Sequence, residues 1–171
     1  MNSALLVIDL QNDYFPEGKF PLWNTAATLQ NIEDTIAKAN AKAIPVIIIQ
    51  HIANSSRGIA PFFNAGTPGA EIHHRILAAA PQAPIIVKEF ADGFLKTTLD
   101  ETLSGLGVTD LLICGMMTQN CVTHTAISKS AEKYAVAILA DCCTTVSEIL
   151  HKIALNAVST RVTLRQSSDA F

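Results

Sequence analysis

Five short apolar runs, separated by segments of helical spacing, constrain this chain more than any other feature. They lie at residues 4–10 (ALLVIDL), 45–50 (PVIIIQ), 84–88 (PIIVK), 110–115 (DLLICG) and 135–140 (AVAILA). Each is too short to cross a membrane, which takes about 18 apolar residues. Each is apolar on both alternating faces, as strands of a parallel sheet covered on both sides must be. Between them, helical spacing is predicted over 24–42 (Ala27, Ile32, Ile36, Ala39, Ala43), 96–106, 118–133 and 146–160, and a last short strand at 162–164. Strand and helix in alternation predict a doubly wound α/β fold. The exception is 52–83, long and broken by Gly58, Pro61, Gly66, Pro68, Gly69 and Pro81, with room for a short helix over 71–80. A connection of that length usually covers or forms a site.

At 171 residues, of which 49% are apolar and 16% charged, one domain spanning 1–171 with a full core is expected. Twelve basic and fifteen acidic residues leave a net charge of −3, a poor match for nucleic acid. The start, Met-Asn-Ser followed by an apolar strand, lacks the basic region of a secretion signal. The four cysteines, Cys114, Cys121, Cys142 and Cys143, contain no C-x2-C pair. They are too few for a disulfide scaffold, and a reduced, cytoplasmic protein is expected. No G-x-G-x-x-G follows the first strand and no P-loop occurs.

Ligands of open α/β sheets bind at the carboxyl ends of the strands. There this chain places Asp9, Gln50 with His51, Lys88 with Glu89, the run 115–121 (GMMTQNC), and Asp141-Cys142-Cys143. Cys121 is the candidate nucleophile. It would sit in the first turn of a helix capped by Thr118, where unpaired N–H groups favour a thiolate and can hold an oxyanion. The plainer alternative is a buried, inert thiol. Cys114 lies within a strand, and Cys142 and Cys143 fall on the rim. Asp9 and Lys88 each set a charge at the end of an apolar run, costly unless paired. They form either a rim ion pair or, with Cys121, a constellation in which Asp9 takes the thiol proton and Lys88 stabilises anions. Lys88 and the helix would lower the thiol pKa and Asp9 raise it, leaving Cys121 the most reactive thiol near neutral pH. His124, three residues beyond Cys121, is the rival base. His51, His73 and His74 suggest a metal but lack a tight ligand pattern.

The blocks ALLVIDLQNDYF, GTPGAEIH, IIVKEFADGF and ICGMMTQNCV, in this order between residues 4 and 144, resemble the isochorismatase-like cysteine hydrolases. The resemblance implies a six-stranded parallel sheet of order 3-2-1-4-5-6 with helices on both faces. It implies a triad of Asp9, Lys88 and Cys121, and a cis peptide at Met116–Met117 that aims the N–H groups of Met117 and Cys121 at an oxyanion. It also implies a pocket lined by Tyr14 or Phe15, by Phe62 and by Phe94, no cofactor, and a homo-oligomer. Nicotinamidases of that family carry an Asp/His metal site. Here Phe62 takes roughly the place of one histidine and Gln50-His51 replaces the Asp-x-His pattern, so no metal is expected. The retained Cys121 implies hydrolysis of a C–N bond in a small-molecule substrate. Two other classes remain open from the residues alone: a redox thiol protein pairing Cys121 with Cys114 or Cys142, and a non-catalytic binding module.

Overall fold

The computed structural model describes residues 2–171. Six strands form one parallel sheet: β1 Ser3–Ile8, β2 Val46–His51, β3 Ile85–Lys88, β4 Asp110–Met116, β5 Ala135–Thr144 and β6 Thr163–Arg165, in the order β3-β2-β1-β4-β5-β6. Five α-helices surround it: α1 Thr25–Ala41, α2 His74–Ala79, α3 Leu99–Gly105, α4 Thr123–Ala126 and α5 Glu148–Val158. The sheet grows one way from β1 to β3 and the other way from β4 to β6. Right-handed crossovers then place α1 and α2 on one face and α3 to α5 on the other. In keeping with this, α1 packs on α2, and α4 on α5. The central strand β1 is buried from Ala4 to Ile8, so nothing at its end escapes the core except by the carboxyl edge.

Two features bring β1 and β4 together where the strand order reverses. Ile8 pairs with Gly115, and a side chain at Gly115 would put Cβ 2.1 Å from the Ile8 carbonyl oxygen. Only glycine permits that approach, and its φ of +127° lies outside the range of other residues.

Several boundaries differ from the sequence-based expectation. β1 ends at Ile8, and Asp9 follows it in the left-handed region at φ 54°. β5 runs on to Thr144, so Cys142 and Cys143 lie buried inside the strand and not on its rim. The single helix predicted over 118–133 is three pieces. A wide π turn spans Thr118–Val122, α4 follows, and a 3-10 segment covers Lys129–Lys133. The Met117 carbonyl accepts from both Asn120 and Val122, which opens the first turn. Ser128 then ends α4 through its own side chain, donating to Asp92 Oδ2 and accepting from Ser130 N, a local alternative to the helical ladder.

Candidate active site

The carboxyl edge gathers Asp9, Lys88 and Cys121. Lys88 Nζ donates to Asp9 Oδ2 at 2.9 Å and to Cys121 Sγ at 3.2 Å. All three side chains are buried, at 0%, 1% and 2% exposure. The backbone at Asp9 is left-handed, a conformation aspartate tolerates better than most residues, and it ends β1 where the carboxylate is needed. Asp9 Oδ1 is buried with no hydrogen-bond partner. A buried carboxylate oxygen left open costs energy and calls for a functional reason.

Lys88 does not come from a strand next to β1. β2 lies between, and His51 pairs in register with Lys88. The Lys88 ammonium therefore passes His51, and its Nζ lies 3.0 Å from His51 Nδ1. The loop after β3 is tied to the Cys121 element as well. Gly93 N donates to Thr125 Oγ1, one turn beyond Cys121.

Burial dominates the electrostatics. It pushes the Cys121 thiol well above its usual range, with the Asp9 charge adding to the rise and Lys88 opposing it. Removal from water thus outweighs the Lys88 cation. Lys88 is held above its usual value, because Asp9 and then Cys121 together outweigh its own burial. Burial and the Lys88 charge lower His51, against Asp9 and Glu89. Around the Lys88 ammonium, burial thus favours the thiol form of Cys121 and the neutral form of His51.

The other candidates fall as follows. His124 is exposed and its Nδ1 donates to the Asn120 carbonyl at 2.8 Å, so it turns from Cys121 to solvent. Thr118 Oγ1 does not cap the turn; it pairs with His151 Nδ1 at 2.9 Å. His73 caps α2 and stacks on His74, away from His51. Among the described residues, the cluster with metal-ligand character is Asp9, His51 and Cys121, whose ligand atoms lie within 4.8 Å of one another. The Lys88 ammonium touches an atom of each, so a cation already fills that position. Cys114 donates to the Leu6 carbonyl and Cys142 lies against Thr35. All four cysteines are free.

Tyr14 is buried, and its hydroxyl is raised by burial and by the charges of Asp9 and Cys121. Its ring packs on Phe62 and Phe63, with centroids at 5.4 and 4.5 Å. Phe15 packs on His73 at 4.3 Å. Phe94 stacks on Tyr134 at 6.3 Å, and Tyr134 precedes β5 at the opposite edge of the sheet. The Met116–Met117 peptide is cis. His51 was legible in the sequence as a strand-end residue and a metal suspect, but its contact with Lys88 was not. The strand order itself was the available signal, since any side chain from β3 must cross the end of β2 to reach β1.

The long loop is fastened to the residues after β1 by polar contacts. Gln11, fully buried, accepts from His51 N and donates to the carbonyls of His51 and Ala70, at 2.7–2.8 Å. Asp13 accepts from Phe63 N and Lys19 N.

Comparison with known proteins identifies the family. The Isochorismatase domain family model matches residues 3–168. The chain is 38% identical over 154 residues to the uncharacterised isochorismatase family protein YddQ of Bacillus subtilis, covering 90% of this chain and 84% of that one. It is 32% identical over 124 residues to a streptothricin hydrolase of Streptomyces noursei, covering 72% of this chain and 47% of that one. A crystal structure of an isochorismatase family protein from Desulfovibrio vulgaris superposes with a TM-score of 0.88 at 27% identity, covering 98% and 95% of the two chains. The chain belongs to the isochorismatase family of hydrolases.

Proposed function

We propose that this member of the isochorismatase family is a cysteine hydrolase that cleaves an amide or related C–N bond of a small molecule through a thioester. The observation that carries this is the buried contact of one ammonium with both a carboxylate and a thiol, beside a carboxylate oxygen that has no partner.

Charge balance explains how a thiol with a raised pKa can still act. Ionising Cys121 to solvent would leave a net negative charge in the core. Moving its proton to Asp9 leaves a neutral acid beside a thiolate–ammonium pair, and the buried net charge stays at zero. The thiolate then attacks the substrate carbonyl carbon. The N–H groups of Met117, just before the π turn, and of Cys121, within it, hold the oxyanion. The C–N bond breaks as Asp9 returns the proton to the leaving amine. Water, deprotonated by Asp9, cleaves the thioester, releasing the acid and restoring the thiol. No step needs a metal or organic cofactor.

A screen of small amides, ureides and carbamoyl compounds for amine or ammonia release tests this. The wild type should turn over at least one class, and Cys121→Ala should not. A trapped acyl adduct on Cys121, seen by mass spectrometry after acid quench, is the second expected result. Turnover by Cys121→Ala at the wild-type rate would end the proposal.

A further inference from the structure

His51 is not part of the Asp9–Lys88–Cys121 triad, yet it holds the third corner of the Lys88 ammonium. An ammonium has three protons and no acceptor capacity. Here Nζ has three partners: Asp9 Oδ2 at 2.9 Å, His51 Nδ1 at 3.0 Å and Cys121 Sγ at 3.2 Å. Each proton therefore has one place to go. With Lys88 charged, Nδ1 must accept, which sets the imidazole proton on Nε2.

His51 also lines a cavity of about 330 Å³ at the end of β2 and β3, together with Asn54, Arg57, Ile59, Pro61 and Glu89. That volume is at the small end of ligand pockets. With Nδ1 engaged by Lys88, Nε2–H is the polar atom of the ring left for this space. Gln11 holds the His51 backbone through both its N–H and its carbonyl, so the ring stands on a fixed base.

We propose that His51 is a positioning and specificity residue: Nδ1 orients the Lys88 ammonium toward Asp9 and Cys121, while Nε2–H binds an acceptor atom of the substrate in the adjoining cavity. The substrate class is then an amide whose acyl or amine portion carries a second hydrogen-bond acceptor, such as a carboxylate, a further carbonyl or a ring nitrogen. This assignment rests on the cysteine-hydrolase reading.

Two conservative variants separate the two roles. In His51→Asn the amide oxygen can stand where Nδ1 stood, but nothing reaches the Nε2 position. In His51→Gln the amide N–H can reach the Nε2 position, but the acceptor for Lys88 is lost. Two measurements are made on each: the pH dependence of iodoacetamide modification mapped to Cys121, and kcat and KM on an amide the wild type hydrolyses. His51→Asn should keep the alkylation profile and kcat, with KM raised about tenfold for the loss of one hydrogen bond. His51→Gln should move the alkylation midpoint up by about one pH unit, because a loosely held ammonium stabilises the thiolate less. Its kcat should fall at least about tenfold with KM little changed. Identical behaviour of the two variants, or an unshifted alkylation profile in His51→Gln, would overturn the proposal. The alkylation arm decides the Lys88 role even before a substrate is known. Cys121→Ala, run alongside, separates the two failures: if it still turns over, the hydrolase reading itself is wrong.

Discussion

Replacing Lys88 with methionine keeps the volume of the side chain and removes one charge. It leaves Asp9 buried at 0% exposure with neither oxygen paired, since Oδ2 loses Lys88 and Oδ1 has no partner. Breaking a buried pair in this way costs about 3–5 kcal/mol. The size follows from the way out open to the protein, which is to protonate Asp9. Against an ordinary aspartate pKa of about 3.9, keeping the acid neutral costs about 4 kcal/mol at pH 7 and about 1.5 kcal/mol at pH 5. The sign follows. In the variant the folded-state pKa of Asp9 rises above the unfolded value, so its contribution is intact below about pH 4 and is lost as pH rises. Lys88→Met should therefore fall short of the wild type by about 4 kcal/mol at pH 7 and by much less at pH 5, out of a total of about 5–15 kcal/mol. Urea denaturation at the two pH values measures this. The double variant Asp9→Asn/Lys88→Met buries no charge and should recover most of the loss at both. A deficit that is the same at pH 5 and pH 7, or below about 1 kcal/mol at pH 7, would show that Asp9 does not depend on Lys88 for its charge.

Other outcomes follow from the same geometry. Gly115→Ala, which drives Cβ to 2.1 Å from the Ile8 carbonyl oxygen at a φ of +127°, should cost about 4 kcal/mol or more, read as a collapse of the urea midpoint. Asp9→Asn should abolish turnover yet raise the alkylation rate of Cys121 at alkaline pH, because the anion that burdens the thiolate is gone; near-normal hydrolysis in this variant would remove Asp9 as the base. Chelators should leave activity unchanged, because Lys88 already occupies the space between Asp9, His51 and Cys121; inhibition reversed by added zinc would contradict this. Below about pH 6.5 the wild type should lose stability relative to His51→Asn. The His51 pKa is depressed in the fold, so the unfolded chain takes the proton first and the advantage present above that pH is lost as pH falls.

Much of this could be seen in the residues. The β-branched runs at 46–49 and 85–87 are strands because such side chains pack on a pleated sheet; their alternation with helices implied a doubly wound α/β fold, while the strand order came from the family resemblance. Asp9 and Lys88 stood out because charges at the ends of apolar runs need partners. What stayed hidden depended on space. β5 continues through Asp141 because its carboxylate is taken by Ser167, a contact 26 residues away. The predicted helix over 118–133 breaks because Ser128 finds Asp92, from the loop that follows Lys88. His124 looked like a base by its spacing from Cys121, but its ring bonds the backbone one turn back. His51 was visible as a strand-end residue, but its contact with Lys88 follows only because β2 separates β3 from β1.

Gln11 does for the last residue of β2 what a neighbouring strand would do. Its side-chain amide takes up both backbone groups of residue 51 and reaches the Ala70 carbonyl as well. The place of residue 51 is thereby secured without reference to which side chain it carries. The tethers at Phe63 and Ala70 likewise hold main chain. A scaffold fastened in this manner can exchange the residues that meet a substrate while its reacting groups keep their spacing. Recognition and chemistry can then diverge at separate rates within one sheet edge.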